Sequence, residues 1–318
     1  MDWKPYYRRE CAALGARDTM ARWILEGADA PLVAAVRRGA VLSFPHTALA
    51  HAGPLQARVV RSLLDAGVER VLALGVLHSG GIGVYRTALD VRETVSRRAE
   101  AFRVVRGAFF RPDAEAITPL GPVPLGRPCG ETGTARVESG GLLEAEFSLD
   151  TFLTMGRAGA DALGRRPIPV LAAYVGMTRD PVSGSFSAAE DLAAWIRTER
   201  DAKTAVVTTG DLVHYGTGYG EAWVAGAPAD REALVAALRP EVEGCLDAAF
   251  SRGDRAEAYA LSRGRLLNDQ REILPVVAAY LGVPAPFEVL SFDLADYAPI
   301  VGAAPPCFVA SALVRYGA

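Results

Sequence analysis

The chain reads as a three-layer α/β/α protein with a mostly parallel central sheet, and three observations predict it. Four apolar runs, at 40–44, 68–76, 167–175 and 204–209, are short and continuous, the pattern of strands buried on both faces. Amphipathic stretches of helical period separate them, and strand–helix–strand alternation favours parallel pairing. All four histidines, His46, His51, His78 and His214, stand just past such runs. Ligands of open α/β sheets bind beyond the carboxyl ends of the strands, so four positions far apart in sequence can converge on one crevice.

Taken in order, residues 1–38 read as helical and amphipathic, with Met20, Trp23, Ile24 and Leu25 in one stripe and a second helix over Ala30–Arg38. This segment is expected to pack on the sheet. The first strand, Ala40–Phe44, stops at Pro45, and a loop bearing His46 and His51 leads to a helix over Pro54–Ala66, with Val59, Val60, Leu63 and Leu64 apolar. Val68–Val76 completes a βαβ unit. Val84–Ala88 and Phe102–Val105 read as short strands, whereas 110–140 is rich in proline and glycine and gives no clear pattern.

A helix over Leu149–Leu163 leads to the strand Pro167–Val175, followed by a helix over Ala188–Arg200 and the strand Thr204–Thr209. Asp230–Phe250 reads as a helix interrupted or kinked at Pro240, and Leu266–Leu281 as a helix with an apolar face. Two strand-like runs, Phe287–Asp296 and Cys307–Tyr316, close the chain. Without a repeat, a low-complexity stretch or a linker, residues 1–318 read as a single α/β domain.

Composition narrows the function. Half of the 318 residues are hydrophobic, enough for a sizeable core, and the net charge of −3 with dispersed arginines lacks the concentrated basic patch of a nucleic-acid surface. No apolar run approaches the roughly 20 residues of a membrane span, and the N-terminus has no apolar signal core, so a cytoplasmic protein is expected. The apolar composition is compatible with a homodimer. Cys11, Cys129, Cys245 and Cys307 form no Cys-x-x-Cys pair and read as buried, reduced thiols. Gly80, Gly81 and Gly83 lack the Gly-Lys-Ser/Thr of a phosphate loop, Gly216, Gly218 and Gly220 do not complete a dinucleotide fingerprint, and no Gly-x-Ser-x-Gly elbow is present.

The histidine segments carry a resemblance. Pro45-His46-Thr-Ala-Leu-Ala-His51-Ala-Gly53-Pro54 aligns without gaps with the Pro-His-Ala-Gly-Tyr-x-Tyr-Ser-Gly-Pro motif of the Memo family. Leu74-Gly75-Val-Leu-His78 is similar to that family's Gly-Pro-Ser-His, and Thr209-Gly-Asp211-Leu-Val-His214-Tyr-Gly216 to its Ser-Ser-Asp-Phe-x-His-x-Gly. Glu146-Phe147-Ser148-Leu149-Asp150 resembles Glu-His-Ser-Leu-Glu. The motifs fall in the family's order over residues 39–281.

The resemblance implies the α/β fold shared with class III extradiol ring-cleaving dioxygenases. It also implies a metal site at the sheet end holding Fe(II), with Cu or Zn as alternatives, and a catechol-like or other chelating aromatic substrate used with dioxygen. Carried over, His46 and His78 would bind the metal, and Asp211 and His214 would line the pocket. The family's metal-binding cysteine is replaced by Asn268, leaving Asp269 as an anionic third ligand and Glu272 as another candidate one helical turn on. Two histidines and one carboxylate form the donor set favoured by non-haem Fe(II). Phe147 stands where the family motif has histidine. His214, or His51 in place of a family tyrosine, would then serve as acid or base, with Asp211 orienting an imidazole through its second nitrogen. A non-catalytic protein that binds metal, or uses the cleft to bind a peptide or small ligand, and a metal-dependent hydrolase are the competing readings.

Overall fold

The computed structural model describes residues 3–78, 94–138, 141–219 and 230–318. Helices α1 (Trp3–Ala13), α2 (Ala16–Glu26) and α3 (Ala30–Arg38) precede β1 (Val41–Phe44), α4 (Leu49–Ala66) and β2 (Arg70–Val76). Next come α5 (Val95–Val105), β3 (Ala108–Phe110), a hairpin of β4 (Glu115–Thr118) and β5 (Gly121–Pro124), β6 (Ala135–Val137), α6 (Asp150–Ala162), β7 (Val170–Val175), α7 (Ser187–Glu199), β8 (Thr204–Thr209) and β9 (His214–Gly216). Helices α8 (Arg231–Leu246), α9 (Arg255–Ala260) and α10 (Leu274–Leu281) lead to β10 (Phe287–Asp296), the short α11 (Ala298–Val301) and β11 (Cys307–Tyr316).

Among the described residues the main sheet has the order β10-β11-β1-β8-β2-β7-β3-β6, with β9 paired to β11. The four central strands β1, β8, β2 and β7 are mutually parallel, and antiparallel pairing begins where β11 meets β1 and where β3 meets β7. The fold is therefore α/β with a mostly parallel central sheet flanked by helices.

The continuous apolar runs become strands whose alternate side chains feed two cores. Leu72, Leu74 and Val76 of β2 face one core with Leu171, Ala173 and Val175 of β7, where α7, α8 and α10 cover the sheet. Val71 and Ala73 face the other with Val170, Ala172 and Tyr174, where α4 and α6 cover it. At roughly 25 cal/mol per Å² of apolar area, burial of this kind is the main term that holds the layers together.

Several expectations are corrected. Residues 102–105 are not a strand but the end of α5, whose Thr94 side chain caps the Arg97 amide; the Val104-Val105 pair is β-branched but sits on a helix whose buried face is Ala101 and Val105. The N-terminal helices lie mainly against α4 and α6 rather than on the sheet itself. Pro240 does not interrupt α8, which continues through it to Leu246 and into a π-turn at Asp247–Ser251. The helix expected from Leu266 starts only at Leu274, after a 3₁₀ turn at Asp269–Glu272. Cys129 is exposed, while the other three thiols are buried and free. The strand expected at Val84–Ala88 lies outside the described residues. Among the described residues no helix is long and apolar enough to cross a membrane.

Candidate metal centre

Three parallel strands, β1, β8 and β2, lie side by side, so their carboxyl ends open on one edge of the sheet. His46 follows β1, Asp211 and His214 follow β8, and His78 follows β2. The loop after β1 is held from several directions. The Tyr7 hydroxyl donates to the His46 carbonyl at 2.6 Å, and the Ala48 amide donates to the Tyr297 hydroxyl at 2.6 Å. The His46 amide donates to Asp211 Oδ1 at 3.1 Å, which ties the loops after β1 and β8 together.

The fourth wall is the turn before α10. Leu267 has φ of 49°, a left-handed conformation that a branched side chain adopts only when its surroundings impose it. In this position its carbonyl oxygen lies 2.9 Å from His214 Nδ1. A carbonyl only accepts, so His214 Nδ1 carries a proton and Nε2 is the ring nitrogen turned to the cleft. The Asp269 amide donates to the Asp211 carbonyl at 3.0 Å, and Gln270 Nε2 donates to Ser43 Oγ and the Gly210 carbonyl at 2.7 and 2.8 Å. Gly210, with φ of 153°, lets this turn approach: a Cβ there would lie 2.5 Å from Gln270 Cγ.

The result is a convergence of donors on one carboxylate. Asp269 Oδ2 lies 3.2 Å from His46 Nε2, 3.7 Å from His214 Nε2 and 3.8 Å from His78 Nε2. One donor atom each from His46, His78 and Asp269 lie within 4.8 Å of one another, as do one each from Asp211, His214 and Asp269. Nitrogen and oxygen ligands about 2.0–2.2 Å from a first-row ion stand roughly 3 Å apart, so small side-chain movements bring this donor set into range. The residues fit a mononuclear metal.

His78 is oriented by a residue that the sequence offered only as part of a motif. Glu146 Oε1 lies 3.1 Å from His78 Nδ1, and Glu146 Oε2 accepts the His78 amide at 2.6 Å. The same carboxylate accepts the amides of Phe147 and Ser148, each at 2.8 Å. Burial alone pushes the Glu146 carboxyl up, but His78 and these amides outweigh it and hold it at about 2. Burial likewise pushes the His78 imidazole down, and Glu146 and Asp269 overcome this to hold it at about 10. Burial pushes Asp269 up as well, yet His214, His46 and His78 bring it well below the ordinary carboxylate range. Asp211 moves the other way: burial, aided by Asp269, raises it against the pull of His46 and His214.

The three candidates for the family cysteine's role separate cleanly. Asn268 is buried and turned away, its Oδ1 accepting the Gln270 amide at 2.6 Å as the cap of the 3₁₀ turn. Glu272 is committed to Tyr259 and Thr178, with its Oε1 accepting the Tyr259 hydroxyl at 2.6 Å and its Oε2 accepting the Thr178 amide at 2.7 Å. Asp269 alone of the three faces the histidines. Asn268→Ala is therefore expected to lower stability by about 1 kcal/mol through loss of the cap while metal content stays at the parent level, measured by chemical denaturation and elemental analysis. Loss of metal from that variant would return Asn268 to the ligand set.

Two sequence expectations are not met. His51 is not brought to the cluster: it lies on the first turn of α4, exposed, against a separate pocket with Pro54, Asp293 and Ser311. The helix starts at Leu49 rather than Pro54 because Glu10 of α1 accepts the Leu49 and Ala50 amides at 2.9 and 3.1 Å, capping it from outside. Asp211 does not orient an imidazole through its second nitrogen. His214 Nδ1 meets the Leu267 carbonyl and His46 Nδ1 lies 3.4 Å from Thr209 Oγ1, whereas Asp211 Oδ2 approaches His46 Nε2 at 3.8 Å.

The cluster lies in a cleft of about 280 Å³ with aromatic walls. Phe147 stacks on His78 with centroids 4.3 Å apart and planes 19° apart, and Tyr219 meets His214 edge-on at 4.6 Å. Trp3, Tyr7 and Tyr297 extend the wall, and Arg271 lies at its side. Sequence reasoning missed these aromatics; the Trp3, Tyr6, Tyr7 cluster at the amino end was the available signal. No protein-family model and no curated protein matches this chain, so the likeness to the Memo motifs rests on those residues alone.

Proposed function

We propose that this protein is a metal-dependent oxidoreductase, similar to the class III extradiol dioxygenases, that binds a catechol-like or other chelating aromatic molecule at a mononuclear Fe(II) centre. The observation that carries the reading is the convergence of His46, His78 and Asp269, two imidazoles and a carboxylate, at the strand ends of an aromatic-lined cleft. His46, His78 and Asp269 would hold Fe(II), which would supply Lewis acidity and redox chemistry toward a chelating substrate and dioxygen. The chain's own residues prepare the substrate. His214, its Nδ1–H committed to Leu267, offers Nε2 to receive a phenolic proton and to return it later. Trp3, Tyr7, Tyr297 and Phe147 supply flat apolar surface for a ring and limit water, and Arg271 adds positive charge to the lining.

One observation favours a second reading, a metal- or ligand-binding protein without turnover. Phe147 occupies the position of the family histidine and covers His78 with a side chain that moves no proton. Oxygen uptake separates the two. After anaerobic loading with Fe(II), a panel of catechols with and without ring carboxylates is expected to drive oxygen consumption, with the visible absorbance of a ring-opened product. Stoichiometric metal without oxygen uptake would leave the binding reading, and a protein that takes up no iron, copper or zinc would end the oxidoreductase reading and leave the cleft as a ligand-binding site.

A further inference from the structure

The cleft holds a second set of metal donors beside the first. Asp211, His214 and Asp269 each offer one donor atom, and these lie within 4.8 Å of one another, as do those of His46, His78 and Asp269. Only Asp269 belongs to both sets, and its carboxylate has two oxygens to divide between two ions. In two-metal sites the ions stand about 3.5–4 Å apart, a separation that one bridging carboxylate spans.

The donors that the first set leaves out are turned into the cleft and lack partners there. Asp211 is 3% exposed. Its Oδ1 accepts the His46 amide at 3.1 Å, but among the described residues its Oδ2 makes no hydrogen bond, since the approach to His46 Nε2, at 3.8 Å, is too long for one. A buried carboxylate oxygen is costly to leave without a partner, and a cation supplies one. His214 is fixed through Nδ1 by the Leu267 carbonyl, and its Nε2 lies 3.7 Å from Asp269 Oδ2, again beyond hydrogen-bond length. Two carboxylates and an imidazole therefore converge on a space that no side chain fills, and this donor set suits Zn(II), Co(II) or Fe(II).

We propose that Asp211, His214 and Asp269 form a second, weaker metal site that regulates the first: a divalent ion present in excess enters between them and takes the His214 nitrogen that would otherwise receive the substrate's proton. The inference rests on His46, His78 and Asp269 holding the first ion. The order of filling follows from the ligands. The first set has two imidazoles, the donors that transition metals favour over a further carboxylate, whereas the second has one. Once the first ion is in place, the second shares a carboxylate already bound and meets a like charge a few Å away. It fills only at higher metal concentration, and the one-ion form is the working one.

Equilibrium dialysis of the metal-free full chain against Co(II), without substrate or oxygen, counts both ions independently of turnover. The parent is expected to take up one equivalent and then a second at a Co(II) concentration at least about tenfold higher. Asp211→Asn keeps an oxygen to accept the His46 amide, and His214→Ala leaves Asp211 intact. Each is expected to retain the first equivalent and to weaken the second at least about tenfold. A parent that stops at one equivalent overturns the inference while the first site stands. So does a second equivalent that survives unchanged in either variant, because that ion then lies elsewhere. Loss of both equivalents from variants whose circular dichroism matches the parent also overturns it, since the five residues would then serve a single ion. A parent that binds no Co(II) ends the inference together with the reading on which it rests.

Discussion

Asp269→Asn is expected to weaken metal binding by more than about 100-fold, so that the purified, reconstituted variant carries well under one equivalent where the parent carries about one. The expectation follows from position. Asp269 Oδ2 is the only carboxylate oxygen of the cluster within 4 Å of all three histidine Nε2 atoms, and Asp269 belongs to both of the donor triads. Changing a residue that only orients a metal-binding side chain typically costs ten- to a hundredfold in affinity, and loss of the anionic ligand itself exceeds that. Asp211 is poorly placed to substitute, because its Oδ1 is held by the His46 amide and burial keeps its carboxyl easier to protonate than an ordinary aspartate. Asparagine preserves the shape of the turn, so circular dichroism of the variant should match the parent. Elemental analysis and a chelator competition measure the effect, and full metal retention in Asp269→Asn would remove the carboxylate from the centre and with it the two-histidine, one-carboxylate assignment.

That the third ligand needs such an experiment reflects what a sequence can express. The strands β1, β2, β7 and β8 were legible because burial on both faces leaves unbroken apolar runs, and their parallel order then places His46, His78, Asp211 and His214 on one edge. The residue that completes the cluster was not legible among Asn268, Asp269 and Glu272. Which of them turns inward is decided by the left-handed Leu267 and by the hydrogen bonds of Gln270 to Ser43 and Gly210, contacts between segments far apart in sequence. His51 illustrates the same limit. Nothing local moves the start of α4 from Pro54 to Leu49; a carboxylate from Glu10, about forty residues earlier, does. The hairpin of β4 and β5 and the short β3 and β6 fall in the proline- and glycine-rich stretch where periodicity has too few residues to register.

Glu146→Gln is expected to weaken metal binding about 10- to 100-fold and to change how that binding depends on pH. In the parent, Glu146 and Asp269 hold His78 protonated up to about pH 10, so a metal arriving at Nε2 below that value must displace a proton. Affinity for Zn(II) or Co(II), measured by chelator competition from pH 6.5 to 8.5, should therefore rise about tenfold per pH unit for this group, and loading in weak buffer should release about one proton at His78. With glutamine the Nδ1–H can still meet an amide oxygen, but the charge that raises His78 is halved to Asp269 alone. Its pKa falls toward 6.5, and the part of the slope that belongs to His78 flattens at the upper end of the range.

The linkage to folding has the opposite sign on its two limbs. Glu146, held at about 2 against an ordinary 4.5, contributes stability that is present above 4.5 and lost as the pH falls through 2. His78, held at about 10 against an ordinary 6.5, contributes stability that is present below 6.5 and lost as the pH rises through 10. Both limbs express one interaction, so the metal-free parent should gain most over Glu146→Gln between pH 4.5 and 6.5 and lose that advantage toward pH 10, as thermal unfolding at each pH would record. Metal reverses the alkaline limb, because a ligated His78 no longer needs its proton and the Nδ1–H bond to Glu146 persists. A stability difference between parent and variant that is flat from pH 5 to 10 in the metal-free state would mean that Glu146 positions the backbone of His78 without holding its charge, and the raised imidazole would lose its explanation.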